Sequence, residues 1–168
     1  LSATALRVDG ASVQIDRAGN SLPQIQATAT GNVSVATDGA PPILGTRSST
    51  GNVTVSAGSI ALSGAAGTLA LQAAGTASLT ATSGDIAGAS GLAAVQAPVL
   101  NATASGAIAL TGDNAVGTLA AIAGTGVIFD NTIALTAGAT GAGGTSIAGD
   151  VTLSAPSLRL NDVLSTGT

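Results

Sequence analysis

Residues 51–81 read GNVTVSAGSIALSGAAGTLALQAAGTASLTA. The stretch holds no charge, no aromatic ring, no cysteine and no histidine. Ala and Leu favour helices, so a helix is the first pattern to test. The apolar spacing rejects it. Val53 and Val55 are two apart, and so are Leu69 and Leu71. A period of two is the signature of a strand with one buried face. Glycine recurs every several residues and would cost a helix about 1 kcal/mol per occurrence. Short strands joined by tight turns accommodate the same residues without that cost.

The pattern continues on both sides. Val33 and Val35, Ile108 and Leu110, and Ile133 and Leu135 repeat the alternation. At longer range, GNVSVA begins at Gly31 and GNVTVS begins at Gly51, twenty residues later, with SVQID at Ser12 about one step earlier. GSIALSG at Gly58, GTLALQ at Gly67, GAIALTG at Gly106, NTIALTA at Asn131 and GDVTLSA at Gly149 follow one template. It is a turn residue, a small polar residue, then aliphatic-x-aliphatic. A unit of this size cannot bury its apolar face alone and must stack on its neighbours, which makes a solenoid.

The expected fold is therefore all-β, a parallel β-helix (β-solenoid) of about 17–20 residues per coil, forming a single domain over residues 1–168. At about 4.8 Å per coil, about eight or nine coils make a rod roughly 40 Å long. Val33, Val35, Val53, Val55, Leu69, Leu71, Ile108, Leu110, Ile133, Leu135, Val151 and Leu153 are expected to point inward. The many alanines imply a thin core. Glycines are expected at corners with positive φ, and Asn32 and Asn52 are expected to stack at equivalent corners as an amide ladder.

Composition excludes several function classes. Charged residues make up 7% of the chain, all of them Asp or Arg, and the formal net charge is −4. Four scattered Arg cannot form a nucleic-acid footprint. Despite a mean hydropathy of +0.55 and an uncharged run from Ser48 to Gly84, polar residues break every apolar run before membrane-spanning length. One Phe, Phe129, cannot supply the aromatic girdles of a membrane barrel. With no Cys there are no disulfides or thiolate metal sites. The chain opens at Leu1 rather than Met, which reads as a processed product or a segment of something longer.

The strings GNVTVSAGSIALSG, GTLALQAAG, ASLTATSGDIAG and GDVTLSAPSLRL resemble the repeats of filamentous haemagglutinin-like exoproteins of two-partner secretion. The resemblance runs from about Gly31 onward and is one of texture and period. It implies a right-handed parallel β-helix and a secreted adhesin of the bacterial cell surface. A host surface or a glycan is the partner such a protein implies.

Few residues here can carry chemistry. A Ser nucleophile needs a His or Lys base, and the chain has neither. Asp113, Asp130 and Asp150 are spaced by 17 and 20 residues, near the coil period, so they could align on one corner. Such a column would serve as a pair of glycosidase carboxylates or as a weak cation site. The plainer reading is solvated turn Asp. GATGAGG at 138–144 lacks the Lys-Ser/Thr of a phosphate loop and reads as a turn. Asn32, Asn52 and Asn101 head N-x-[ST] triplets, which read as turn residues in a bacterial-looking chain. The T-x-T pairs in ATAT (27–30) and TATS (80–83) resemble the threonine strips of ice-binding β-solenoids, although they do not recur at one coil position.

The sequence thus points to a non-enzymatic structural or adhesive rod with no catalytic, cofactor or metal residues. The rivals are a polysaccharide-degrading β-helix and an ice-binding solenoid. The chain opens and closes in alternating register without a helix start signal, so end-to-end self-association, or covalent continuation into a longer solenoid, is expected.

Overall fold

The computed structural model describes residues 6–16, 24–40, 42–64, 69–88, 94–138, 146–161 and 165–166. Among these, every regular element is a strand, and every strand pairing is parallel. The chain is a β-solenoid, as its repeats require. One coil shows how the sequence builds three faces. Ile60–Ser63 lies on a first face, Leu69–Ala73 on a second and Thr76–Ala81 on a third. In Thr76–Ala81, Ala77, Leu79 and Ala81 are buried while Thr76, Ser78 and Thr80 face outward. The period of two therefore divides core from solvent.

Like residues stack in register. On the third face Val13, Val33, Val53, Ala77, Leu100, Leu119, Ala137 and Leu160 form one column of eight rungs. Seven steps of about 4.8 Å give it a length of about 34 Å. On the first face Ile60, Ile86, Ile108, Val127 and Val151 form another. Between them lies a core of aliphatic side chains, many alanines and the fully buried Phe129. Fully burying a side chain such as Leu71 contributes about 1.5–3 kcal/mol.

The shortest coils of the eight-rung column have 18 to 20 residues, within the range read from the repeat, and others reach 23 or 24. Extra length is inserted at set places. Ile43 and Thr46 are three residues apart, but their partners in the next coil, Leu62 and Leu71, are nine apart. Leu119 and Ile122 are three apart, and their partners Ala137 and Ser146 are nine apart. The strands on both sides of each nine-residue separation are paired in register.

Two of the residues expected in the core, Ile133 and Leu69, need correction. Ile133 is 44% exposed. It lies between the strands Gly126–Asn131 and Leu135–Ala137, so its spacing to Leu135 is not a strand period. Leu69 is only half-buried, because Ala70 and Leu71 both turn inward and the register slips opposite Ala94 and Val95. Val151 and Leu153 point inward as expected and pack against the core, and they are only half-buried because no described strand pairs with the outer edge of Asp150–Ser154.

The corner glycines also behave differently from the expectation. Among the described glycines only Gly45 (65°) and Gly138 (128°) have positive φ. At many of the other corners, including those of Gly31, Gly51, Gly58, Gly75 and Gly106, the requirement is close approach. A Cβ on Gly51 would lie 2.5 Å from Asn32 Oδ1 and 2.8 Å from the carbonyl carbon of Gly31 in the coil below.

These placements predict three outcomes in denaturant melts. Leu71→Asp buries an unpaired charge and should cost several kcal/mol, whereas Ile133→Asp should stay within about 0.5 kcal/mol. Thr46 is fully buried, and its hydroxyl has no hydrogen-bond partner. Thr46→Val keeps the shape and removes that hydroxyl, so it should stabilise the protein by about 1 kcal/mol.

Candidate functional site

The corners are where polar side chains do structural work. Asn32 Oδ1 accepts the backbone N–H of Asn52 (2.9 Å), and Asn52 Oδ1 accepts that of Thr76 (2.8 Å). Asp85 Oδ1 does the same for Ala107 at another corner (2.7 Å). Asn32 and Asn52 thus occupy equivalent corners as expected, but each side chain bonds the next coil's backbone rather than the next amide. Hydroxyls work in the opposite direction. Thr50 Oγ1 donates to the Thr30 carbonyl (2.7 Å) and Ser83 Oγ to the Gly58 carbonyl (3.2 Å).

The most elaborate corner carries no period-two signal and is built on two buried asparagines. Asn114 and Asn131 are buried, 1% and 7% exposed. Asn114 Oδ1 accepts Val95 N–H, while its Nδ2 donates to the carbonyls of Leu110 and Asp130 (all 2.9 Å). Asn131 Oδ1 accepts Val116 N–H (2.9 Å), and its Nδ2 donates to the carbonyls of Val116 (2.9 Å) and Ile133 (2.8 Å). One amide therefore satisfies several backbone groups that a tight corner would otherwise strand in the core. The available signal was the repeated Asp-Asn pair, 113–114 and 130–131.

The three candidate carboxylates do not form a column. Asn114 pairs with Asn131, which brings Asp113 and Asp130 to one corner. Asp150 instead pairs with Gly126, at the start of that strand, and Asp130 pairs with Ser154. Coil lengths vary, so a spacing near the average period does not guarantee alignment. Among the described residues no group of three or more His, Cys, Asp or Glu could hold a metal ion.

The second face is the polar one. Asp9, Thr28, Arg47, Gln72 and Gln96 stack outward along the axis. Gln72 Nε2 donates to Gln96 Oε1 (3.1 Å), and Arg7 pairs with Asp9 at 3.5 Å. Both members of that pair are well exposed, so it adds little stability. The lower part of the face opens into a groove of about 480 Å³ lined by Asp9, Thr28, Thr30, Arg47, Ser49 and Gln72. These groups can hydrogen-bond a polar ligand. None is paired with a base in a nucleophilic arrangement.

The third face is uncharged over its middle coils. Thr54, Ser78 and Asn101 stack in one outward column, and Ser56, Thr80 and Thr103 in the next. Of the T-x-T pairs, Thr28 lies on the second face and Thr80 on the third, so the two pairs do not share a column. Of the N-x-[ST] triplets, Asn32 and Asn52 are corner residues and Asn101 is an exposed strand residue. The glycine-rich stretch 138–144 lies, apart from Gly138, outside the described residues.

No protein-family model matches the chain, and no curated protein or solved structure shows significant similarity to it.

The corner chemistry sets an order of mutational cost. Asn131→Ala leaves Val116 N–H and two carbonyls without their partner, an expected loss of about 1–3 kcal/mol. Asn52→Ala opens an exposed corner where water can replace the amide, and should cost about 1 kcal/mol or less. Equal costs in urea titration would contradict this ranking.

Proposed function

We propose that this chain is a secreted, non-enzymatic structural or adhesive rod of a bacterial cell surface, and that its work is mechanical. The supporting observation is the state of its outermost rungs. Leu158 and Leu160 pair with the buried Leu135 and Ala137, yet they are 44% and 57% exposed. They occupy core columns with no described coil above them. Leu6, Val8 and Ile15 are likewise only partly covered at the other end. A stacked coil, from a second copy of the chain or from a continuation of the same polypeptide, would extend the columns and pair the free strand edges.

The columns match across such a joint. Leu6 lies in the column that ends at Leu153, and Val13 in the one that ends at Leu160. Stacking copies head to tail therefore sets aliphatic rung on aliphatic rung. A heterologous contact of this kind yields open filaments rather than closed rings. The resemblance to filamentous haemagglutinin-like repeats supports the extracellular and adhesive parts of this reading. The missing His, Cys, Lys, Glu and Tyr support the non-enzymatic part.

Sedimentation and negative-stain microscopy test the proposal. Elongated particles, growing with concentration and nearly insensitive to salt, are expected, and Leu160→Asp should shorten them. A single compact species at high concentration would overturn self-stacking. Polysaccharide turnover lost in Asp113→Asn or Asp130→Asn would overturn the non-enzymatic reading.

A further inference from the structure

The lower end of the rod carries an arginine in the column where the upper end carries a carboxylate. Arg7 follows Leu6 in the lowest strand and points outward, with 72% of its side chain exposed. Asp130 and Ser154 follow Phe129 and Leu153 in the same way, and they pair with each other in the two highest rungs of the first face. Setting a second copy's Leu6 on Leu153 puts its Arg7 on Ser154, two strand spacings, about 9.6 Å, above Asp130. Ser154 is short, and the long arginine stem reaches past it to the carboxylate. Asp9 holds Arg7 weakly, since both are well exposed, and among the described residues Asp130 has no ion-pair partner.

A rotated setting lacks this match. With Leu6 on Leu160, Arg7 would lie on Asn161, and the residues lower in that column, Ala120, Asn101, Ser78 and Thr54, are uncharged. The heights agree as well. The columns that start at Leu6 and at Val13 hold the same number of rungs, so one rotation closes both at once.

We propose that copies of this chain stack in a single rotational setting, fixed by an ion pair between Arg7 of one copy and Asp130 of the copy below it. This setting presupposes the self-stacking of the chain and adds its geometry. The aliphatic rungs drive the contact, and the charge pair selects among rotations that apolar columns on three faces leave nearly equal. A single pair at the rim adds specificity more than affinity, so the particles stay nearly insensitive to salt.

The chain has no cysteine, so cross-linking reads the setting directly. With Val13 on Leu160, Gln14 lies on Asn161 at the strand spacing, which suits a disulfide. Full-length Gln14→Cys/Asn161→Cys should therefore form covalent ladders on oxidation. Gln14→Cys/Ser154→Cys, which needs a rotated copy, should not. Sedimentation at low salt reads the ion pair. Arg7→Asp and Asp130→Arg should each weaken association about three- to fivefold, and the double exchange should restore it. Arg47→Asp, exposed at mid-rod, should change nothing. Circular dichroism melts verify folding, and the cysteine pairs decide where a charge variant does not fold. Elongated particles that ladder through Ser154, that fail to ladder through Asn161, or whose association the exchange does not restore would overturn this setting and leave the rod standing. A monomer at high concentration without ladders would overturn both.

Discussion

Adjacent coils approach to the separation of hydrogen-bonded strands, and every group at a corner must fit within that gap. This constraint orders the rest of the molecule. Along the flat faces the backbone satisfies it without help, because parallel strands fill one another's hydrogen-bonding capacity. At the corners the strands turn away from the ladder, and their N–H and carbonyl groups need other partners. The chain supplies them with the shortest polar side chains, which reach one coil and no further. Asn32 and Asn52 accept from the coil that follows them, and Thr50 and Ser83 donate to the coil that precedes them. Gly51 stands beside Asn32 because a larger residue would occupy the space of the amide.

The composition follows from the same constraint. Long side chains cannot stack at a corner and cannot fit a thin core, so they project outward from the strands, as Arg47, Gln72 and Gln96 do on the second face and Gln14 and Arg159 do on the third. The core has room for one large ring, Phe129, in the column that also holds Leu62, Gly88 and Leu110. The small volume at Gly88 and the large one at Phe129 show that the columns fix position along the axis more strictly than they fix size.

Much of the fold was legible in the sequence because its strongest signal is local. Val33, Val35, Val53 and Val55 alternate within strands and recur at twenty residues, so both the face and the register follow from spacing. What was not legible depends on coil length. Ile133 shares the template but falls in a turn, and Asp150 shares the period with Asp130 but lies at the other end of its strand's partner. A repeat with variable insertions keeps its pattern while losing its phase. The buried Asn114 and Asn131 were overlooked for a related reason. Asparagine reads as a surface turn residue, and only the third dimension shows that this turn is covered by its neighbours. Glycine marks corners in the sequence, but close packing rather than positive φ selects most of the described glycines.

The nine-residue separations between Leu62 and Leu71 and between Ala137 and Ser146, each opposite a three-residue separation, bear on how such a chain can change over time. At both places six residues enter between two rungs and the columns continue above. Because the rungs on both sides of each separation keep their partners, the ladder tolerates a different chain length at these two places. Variation can accumulate there while the rungs stay constant. The same two junctions are where a foreign peptide epitope could be inserted and carried at a defined height along the axis.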